Sequence, residues 1–167
     1  MIYSSNYKTP IGDVLIVSNE DYLIGLWFKG QKYFLGNIKE EPIKKETKVI
    51  LQTKKWLDRY FNGEKPSISE VKLLLDGSEF QKSVWKILCD IPYGEVITYK
   101  DISKLLKKEK MSAQAVGGAV GHNPISIIVP CHRVVGSNNS LTGYASGIEN
   151  KKKLLIHEGI DISKYKE

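Results

Sequence analysis

A length of 167 residues is enough for one domain or two small ones, and for a real hydrophobic core. Apolar residues make up 41% of the chain and charged residues 26%, which is ordinary for a globular protein, and no apolar run approaches the ~20 residues of a membrane-spanning helix. The formal net charge of +6 fits a polyanionic partner, although a lysine-rich solvated surface explains the charge equally well.

Cysteine use and the N-terminal sequence indicate an intracellular protein in a reducing compartment. Cys89 and Cys131 are the only two cysteines, which is too few for a disulfide framework. Residues 1–12 lack the basic-then-apolar layout of a signal peptide. We therefore expect a cytoplasmic protein with no membrane association.

The first part of the chain, residues 1–76, has the pattern of a small α/β domain. Residues 2–8, 12–18 and 22–28 are β-type runs separated by turn signals, which predicts a meander. Residues 44–61 carry apolar positions three or four apart, which predicts an amphipathic helix, and a short extended piece follows around 71–75.

The second part, residues 77–167, is predicted to be mostly helical. Ser78 and Gln81 form a capping-box pattern that opens a helix through about Cys89. Two further helices are predicted near 99–108 and 112–121, and their spacing makes them a candidate helix-turn-helix.

The helix at 112–121 has an unusually smooth surface. Gly117 and Gly118 each cost roughly 1 kcal/mol relative to alanine inside a helix, and Ala113, Ala115 and Ala119 add only methyl groups. A recognition helix in the major groove normally offers long polar side chains. Such a surface suits close approach to a narrow minor groove or to a neighbouring helix. Tight packing within the protein is an equally consistent interpretation.

The apolar run at 125–129 predicts a buried strand that leads to a reactive segment. Pro130 cannot donate to a sheet, so the strand should end there and leave Cys131 at the rim of the core. A thiol becomes a nucleophile as the thiolate, and His132 could supply the base. Because adjacent side chains of a strand point to opposite faces, the pair needs a turn at Pro130 or a bridging water.

A helix ending near 154–159 brings a third candidate, Glu158, which could orient His132, although a solvated helix end is the simpler interpretation. A metal site built from Cys131, His132, His157 and Glu158 fails on spacing, because adjacent residues of a helix diverge by ~100°. No glycine-rich loop follows a strand as a nucleotide cofactor would require. These residues therefore predict neither this metal site nor a nucleotide cofactor.

Five segments together resemble the O6-alkylguanine-DNA alkyltransferase family. They are residues 92–99 (PYGEVITY), 117–124 (GGAVGHNP), 128–135 (IVPCHRVV), 141–147 (LTGYASG) and 154–159 (LLIHEG). The resemblance is close over about residues 80–160 and looser before them, where it rests mainly on residues 9–12 (TPIG) and the α/β pattern. The Pro-Cys-His-Arg segment at 130–133 is its most specific part.

The resemblance implies an α+β protein that repairs DNA by direct reversal. Residues 1–76 would form a ribonuclease-H-like support domain, and residues 77–167 a mostly helical, winged-helix-like DNA-binding domain with a helix-turn-helix. The protein would be a methylated-DNA–protein-cysteine S-methyltransferase that acts once, as a monomer, without a cofactor. Its partner would be double-stranded DNA containing O6-alkylguanine, and O4-alkylthymine would be a second substrate. The alkylated nucleotide would be flipped out of the duplex.

The resemblance also implies roles in the chemistry. Cys131 would accept the alkyl group, and His132 would be the base, acting through a water. Glu158 would orient His132, and Asn123 would hold the turn. Tyr99 would give its phenolic proton to the departing guanine.

Further residues would bind DNA or cover the flipped base. The covering loop would consist of Tyr144, Ala145, Ser146 and Gly147. The DNA-binding set would consist of Gln114, Ala113, Ala115, Gly117, Gly118 and Arg133, the last of which would brace the fold.

Two departures from the family pattern follow from the sequence. Gln114 stands where relatives often have an arginine that fills the space left by the flipped base, and glutamine lacks its charge and stacking ability. The zinc site that some relatives carry in the first half would need Cys or His ligands, and none occurs before Cys89. Two alternatives stay open: a non-catalytic helix-turn-helix protein that binds lesions or acts as a DNA-binding regulator, and a cysteine hydrolase.

Overall fold

The structure is a computed structural model that describes residues 1–106, 113–141 and 143–167. The chain forms two compact units: the first contains residues 1–76 and 124–128, and the second contains residues 77–123 and 129–167. In the described parts of the chain, no helix is both long enough and apolar enough to span a membrane. The predicted end of the helix at 99–108, the turn after it and Thr142 lie outside the described residues.

The first unit contains a four-stranded sheet. Its strands are β1 (Tyr3–Thr9), β2 (Gly12–Ser18), β3 (Leu23–Phe28) and β4 (Ile43–Lys44). Their order is β3-β2-β1-β4. Strand β2 is antiparallel to both β1 and β3, and β4 is parallel to β1. The meander predicted from the alternating pattern is confirmed, with its ends moved by about one residue.

One amphipathic helix, α1 (Lys48–Phe61), belongs to the first unit. Its buried residues recur at helical spacing, which confirms the predicted periodicity; they are Val49, Ile50, Thr53, Trp56, Leu57 and Tyr60. The side chain of Thr47 caps the helix by accepting a hydrogen bond from the Ile50 amide. The prediction that the helix begins at residue 44 is wrong, because Ile43 and Lys44 pair with β1 instead.

Residues 124–128 are buried but do not form the predicted strand. The Leu26 amide donates to the Pro124 carbonyl at 2.8 Å, and the Ser126 amide donates to the Leu26 carbonyl at 2.8 Å. This single bridge to β3 ends at once, because Ile127 has a left-handed backbone with φ 71° and Ile128 turns back onto Ser126. The strand prediction is wrong because an apolar run reports burial and not backbone direction.

The described residues of the second unit form four α-helices and a very short sheet. Its elements are α2 (Glu79–Cys89), β5 (Ile97–Thr98), α3 (Tyr99–Leu105), α4 (Ala113–Gly121), β6 (Val134–Val135) and α5 (Ile148–His157). The capping box of Ser78 and Gln81 is present at the start of α2, as predicted. The mixed α+β fold is therefore confirmed. The helix-turn-helix stays a prediction, because the segment between α3 and α4 lies outside the described residues.

Candidate active site

The reactive segment is a buried single turn of 3-10 helix, Cys131–Arg133, that leads into β6. The Arg133 amide donates to the Pro130 carbonyl at 3.0 Å, and the Cys131 amide donates to the Val129 carbonyl at 2.8 Å. Successive side chains of a 3-10 helix diverge by about 120° and not by the 180° of a strand. The turn thus supplies the change of direction that the Cys131–His132 pair requires.

His132 is fully buried and pairs with Glu158 at the end of α5. The distance from His132 Nε2 to Glu158 Oε2 is 2.7 Å. His132 Nδ1 has no hydrogen-bond partner among the described residues. A carboxylate at Nε2 favours the tautomer with the proton on that nitrogen, so we assign Nδ1 as the site with a free lone pair. The imidazole can therefore accept a proton at Nδ1.

Arg133 is buried against the same carboxylate. Its Nε donates to Glu158 Oε1 at 2.7 Å and its Nη2 to Glu158 Oε2 at 3.0 Å, while Nη1 donates to the Ile91 carbonyl at 2.6 Å. The guanidinium also lies 5.7 Å from the centre of the Tyr93 ring. All of these contacts are within the protein, and Arg133 is only 8% exposed. They are the contacts of a bracing residue.

The environment sets the protonation states of the pair. Burial acts to raise the pKa of Glu158, but the hydrogen bonds from His132 and Arg133 outweigh it and hold that pKa well below its usual range. Burial lowers the pKa of His132, and the bond to Glu158 only partly offsets this effect. Glu158 is therefore ionised and His132 neutral at neutral pH, which leaves the imidazole free to act as a base.

Cys131 is buried, with 6% of its surface exposed. Burial raises the pKa of its thiol, while a hydrogen bond with the Asn123 side chain and the positive charge of Lys151 act in the opposite direction. Asn123 also donates from Nδ2 to the Val129 carbonyl at 2.8 Å, across the segment that precedes the turn. At rest the thiol therefore keeps its proton, so a base is needed to make it nucleophilic.

Tyr144 faces the same group of side chains. Its ring meets the His132 ring edge-on, with 6.5 Å between the ring centres. Its hydroxyl lies close enough to Cys131 to affect the pKa values of both groups, yet no well-formed hydrogen bond reaches the buried oxygen among the described residues. Burial raises the pKa of Tyr144 well above its usual value, so the phenol is neutral.

Lys151 is a buried residue near the site that the sequence analysis did not single out. Its side chain is fully buried, and its Nζ donates to the Val134 carbonyl at 2.5 Å. Its spacing could have revealed it: Lys151 stands three and four residues before Leu154 and Leu155, on the buried face of α5.

Tyr99 begins α3 directly after β5, which pairs in parallel with β6. Its side chain lies between α4 and the loop before Tyr144. A Cβ added to Gly117 would lie 3.9 Å from Tyr99 Cε1, and one added to Gly143 would lie 3.2 Å from Tyr99 Oη. Gly143 also has φ +68°, so both space and backbone conformation favour glycine there.

Five of the six residues expected to bind DNA lie on α4, whereas the sixth, Arg133, is buried in the turn beside Glu158. Gln114, Ala115 and Gly118 are exposed and Gly117 is half-buried, while the side chain of Ala113 lies outside the description. The opposite face packs inward, and the Trp85 indole of α2 donates to the Ala119 carbonyl at 2.8 Å. The helix thus presents a face of glutamine and very small residues to solvent.

The predicted covering loop, residues 144–147, forms a turn at the start of α5. The Gly147 amide donates to the Tyr144 carbonyl at 2.9 Å, and Ser146 Oγ accepts from Asn150 at 3.2 Å. Gly147 has φ +103°, which a residue with a side chain rarely adopts. Ala145 and Ser146 are half-buried and add little bulk. The loop leaves Tyr144 as its one large side chain beside the thiol.

Family models match almost the whole chain. The ribonuclease-like domain of 6-O-methylguanine DNA methyltransferase matches residues 2–75, and the DNA-binding domain of the same protein matches residues 79–160. The chain belongs to the 6-O-methylguanine DNA methyltransferase family. This membership confirms the resemblance found in the five sequence segments, and extends it to the first half of the chain.

Relatives and solved structures of this family match this chain over most of their lengths. A methylated-DNA–protein-cysteine methyltransferase of Methanosarcina barkeri is 44% identical over 92% of this chain and 95% of its own, and one of Haemophilus influenzae is 38% identical over 95% and 87%. A Mycobacterium tuberculosis protein named OGT, solved in complex with DNA, matches with a TM-score of 0.83 at 36% identity, covering 98% of this chain and 94% of its own. The chain is thus a methylated-DNA–protein-cysteine methyltransferase by family.

Proposed function

We propose that this protein removes alkyl groups from O6-alkylguanine in double-stranded DNA and keeps them on Cys131, in a single turnover. O4-alkylthymine is a second proposed substrate. One observation carries the proposal: a buried thiol sits beside an imidazole whose Nδ1 is unpartnered among the described residues and whose Nε2 is held by Glu158. Family membership supports the choice of substrate in this proposal.

The first step is deprotonation of the thiol. The Cys131 S–H bond breaks and its proton passes to His132 Nδ1 through one water, while Glu158 stabilises the imidazolium through Nε2. Glu158 itself stays ionised, because the bonds that lower its pKa persist. Asn123 stabilises the developing thiolate and holds the preceding backbone.

The second step transfers the alkyl group. The thiolate attacks the alkyl carbon, the S–C bond forms, the C–O6 bond breaks and the electron pair stays with the guanine. An anionic purine leaves poorly, so we assign Tyr99 as the proton donor to the leaving base. The product thioether is stable, and no turnover follows.

Access to the lesion requires the nucleotide to leave the base stack, because O6 of guanine lies on the major-groove edge and a protein bound in the minor groove reaches it only after the base is flipped out. We assign the exposed face of α4 to the minor groove, where small residues allow close approach of the backbone. Gln114 on this face takes the position beside the displaced base, and residues 144–147 cover the flipped base. Arg133 contributes by bracing Glu158 and the turn, not by touching DNA.

The remaining assignments concern the whole protein. Residues 1–76 support the second unit, and residues 77–167 carry the chemistry and bind DNA. We propose a monomer that acts in the cytoplasm and needs no cofactor, since the lesion itself is the alkyl donor.

Incubation with duplex DNA containing one O6-methylguanine, followed by intact-protein mass measurement, tests the proposal. The expected result is the mass gain of one methyl group, mapped by peptide analysis to Cys131, with no gain in Cys131→Ala. Cys89→Ala is the matched control and should still gain the methyl. Tight binding without any mass gain would identify a lesion binder instead, and repeated turnover on an ester or amide would identify a hydrolase.

A further inference from the structure

The C-terminal segment, residues 160–166, turns back from α5 instead of prolonging it. The Gly159 amide donates to the Ile156 carbonyl at 2.9 Å, and the Ile160 amide donates to the Leu155 carbonyl at 3.0 Å. Gly159 has φ +86°, and a left-handed glycine combined with these two bonds is a Schellman motif. The chain therefore reverses its direction directly at the end of the helix.

The apolar side chains of the C-terminal segment cover a buried cluster that adjoins the proposed site. The cluster consists of Val135, Leu141 and Leu155, and the partly buried side chains packed against it include Ile160, Ile162 and Tyr165. Val135 belongs to β6, which directly follows the reactive turn. Leu141 stands three residues before Tyr144. Leu155 stands three residues before Glu158. The segment thus packs against the chain next to each of these groups.

Lys166 adds main-chain hydrogen bonds to this packing. Its amide donates to the Asn139 carbonyl at 2.9 Å, and its carbonyl accepts from the Leu141 amide at 2.8 Å. These bonds place Lys166 beside Ser140 in a short parallel bridge. The Ser140 carbonyl in turn accepts from the Gly136 amide at 2.8 Å, which closes a hairpin. The side chain of Lys166 is exposed, so the main chain alone makes the connection.

The covering loop is therefore anchored on both sides. Leu141 is held by Lys166 before the loop, and at its end the Gly147 carbonyl accepts from the Lys151 amide at 3.3 Å. Gly143, directly before the loop, has φ +68°, and Gly147 has φ +103°. Glycine allows the backbone more freedom than any other residue. The position of the loop consequently depends on its two anchors.

We propose that Tyr165 and Lys166 are positioning residues of the transfer reaction: they clamp the start of the covering loop so that Tyr144 closes over the flipped nucleotide. This role deepens the proposed function and rests on it. Both residues act through Leu141, and the bonds that form and break stay with the groups described above. Because α4 supplies the proposed contact with the duplex, the clamp should affect only the steps that follow flipping.

Removal of one amide hydrogen tests the clamp. Proline has no amide hydrogen, so Lys166→Pro loses the bond to Asn139. The preceding residue, Tyr165, has φ −100° and ψ 148°, which a following proline permits. At saturating duplex with one O6-methylguanine, single-turnover methyl transfer should slow by roughly threefold to tenfold, the effect of one lost hydrogen bond. Lys166→Ala keeps the amide and should transfer at the unmodified rate. An unmodified rate in Lys166→Pro would overturn the proposal.

Affinity and thiol reactivity separate this role from general support of the fold. On a Cys131→Ser background, Lys166→Pro should bind unmodified duplex normally and lose part of its preference for the methylated duplex. Iodoacetamide reaches Cys131 without a flipped nucleotide, so its reaction, followed by peptide mass mapping, should not slow in Lys166→Pro. An equal slowing with iodoacetamide would mean that the substitution damages the reactive turn, and would contradict a role through the covering loop.

Tyr165 tests the packing part of the clamp. Tyr165→Ala should slow methyl transfer as Lys166→Pro does, because it uncovers the cluster that contains Leu141. Tyr165→Phe keeps the ring and should restore the unmodified rate. A Tyr165→Ala protein that transfers at the unmodified rate would remove Tyr165 from the proposal.

Hydrogen exchange provides a further measurement that needs no substitution in the clamp, should those variants fail to fold. On the Cys131→Ser background, duplex with O6-methylguanine should slow exchange of the Leu141 and Lys166 amides, and unmodified duplex should not. Identical exchange in the two complexes would contradict a link between the clamp and the flipped nucleotide. Absence of methyl transfer in the unmodified protein would instead contradict the proposed function, while the exchange measurement would still report on the clamp.

Discussion

Glu158 links two side chains that have different tasks. Glu158 Oε2 accepts a hydrogen bond from His132, and both carboxylate oxygens accept hydrogen bonds from Arg133. The same carboxylate therefore orients the base and neutralises a buried cation. The Gly94 amide adds a further contact to Oε1 at 3.3 Å. Chemistry and stability should therefore respond together when this residue changes.

Glu158→Gln should lower the free energy of unfolding by about 3–5 kcal/mol at pH 7, because it leaves the Arg133 charge buried without its partner. Urea unfolding followed by circular dichroism measures the change. Glu149→Gln, an exposed position of α5, is the control and should have little effect.

The cost of Glu158→Gln should also depend on pH. The pKa of Glu158 in the folded protein lies below its ordinary 4.5, so its stabilising effect is full above that value and is lost as the pH falls through the lower folded pKa. The difference in the free energy of unfolding between the unmodified protein and Glu158→Gln should therefore become smaller at acid pH. A difference that stays constant down to low pH would contradict the charge pairing.

His132→Asn should slow methyl transfer by about 10²–10⁴-fold while leaving DNA affinity nearly unchanged, because it removes the base but not the DNA-binding face. Single-turnover transfer and a binding titration with methylated duplex measure the two effects. His157→Asn, in the last turn of α5, should transfer normally. An equal loss of affinity and rate in His132→Asn would argue against a role as base.

The acid side of the pH profile tests the same residue. Burial lowers the pKa of His132 below its ordinary 6.5, so the imidazole stays neutral and able to accept a proton at that pH. The transfer rate of the unmodified protein should accordingly fall only at a pH below 6.5. A fall centred above 6.5 would assign the titration to another group.

For individual residues, the sequence identifies candidate side chains better than it identifies which side chains contact each other. Cys131 and His132 could be recognised from their adjacency, whereas the link to Glu158 depended on the family resemblance, since the two residues are far apart along the chain. Lys151 was hidden by Lys152 and Lys153, because a run of lysines is normally a solvated face. The apolar spacing of Leu154 and Leu155 was the available signal.

Helix α4 combines weak helix propensity with an exposed face. Gly118 lies in its interior, where a Cβ would meet no atom within 4 Å, so the fold itself does not require glycine there. The proposed contact with the minor groove supplies a reason, because each added side-chain atom keeps the helix backbone further from DNA.

Gly118→Ala should therefore stabilise the protein by up to about 1 kcal/mol and at the same time weaken DNA binding. Thermal unfolding and a fluorescence binding titration measure the two opposite changes. Gly121→Ala, also in open space but at the end of the helix, is the control and should change DNA affinity less. Unchanged affinity in Gly118→Ala would remove this face from the proposed interface.

Elements with local signals were predicted well, and those set by distant contacts were not. The capping box of Ser78 and Gln81 and the periodicity of α1 are encoded within a few residues. Residues 125–129 carry the same apolar character as a strand, but their course depends on one bridge between Ile125 and Leu26, about a hundred residues earlier in the chain. No local pattern specifies that bridge or the left-handed turn at Ile127.

For the whole molecule, the mixed α+β composition followed from the order of strand-like and helix-like segments. The sequence did not predict that residues 124–128 belong to the first unit, because they interrupt an otherwise continuous second unit. The charge of +6 was ambiguous from composition alone, and family membership gives it a partner.

Affinity for duplex DNA should accordingly fall as salt concentration rises, with a linear dependence of the logarithm of the binding constant on the logarithm of salt. Binding titrations at several salt concentrations measure the slope. The transfer rate at saturating DNA should change little, because the reacting groups are buried and less screened than the surface. A salt-independent affinity would contradict binding through the phosphates.

The buried position of Cys131 bears on how many lesions a cell can repair. The proposed product is a thioether inside the protein, and Cys89, the one other cysteine, cannot regenerate the thiol from it by disulfide exchange. The number of lesions that a cell can repair then equals its number of unalkylated copies of the protein. Repair stops when the last copy has been alkylated. Resistance to alkylating agents would depend on the rate of new synthesis rather than on any Michaelis constant.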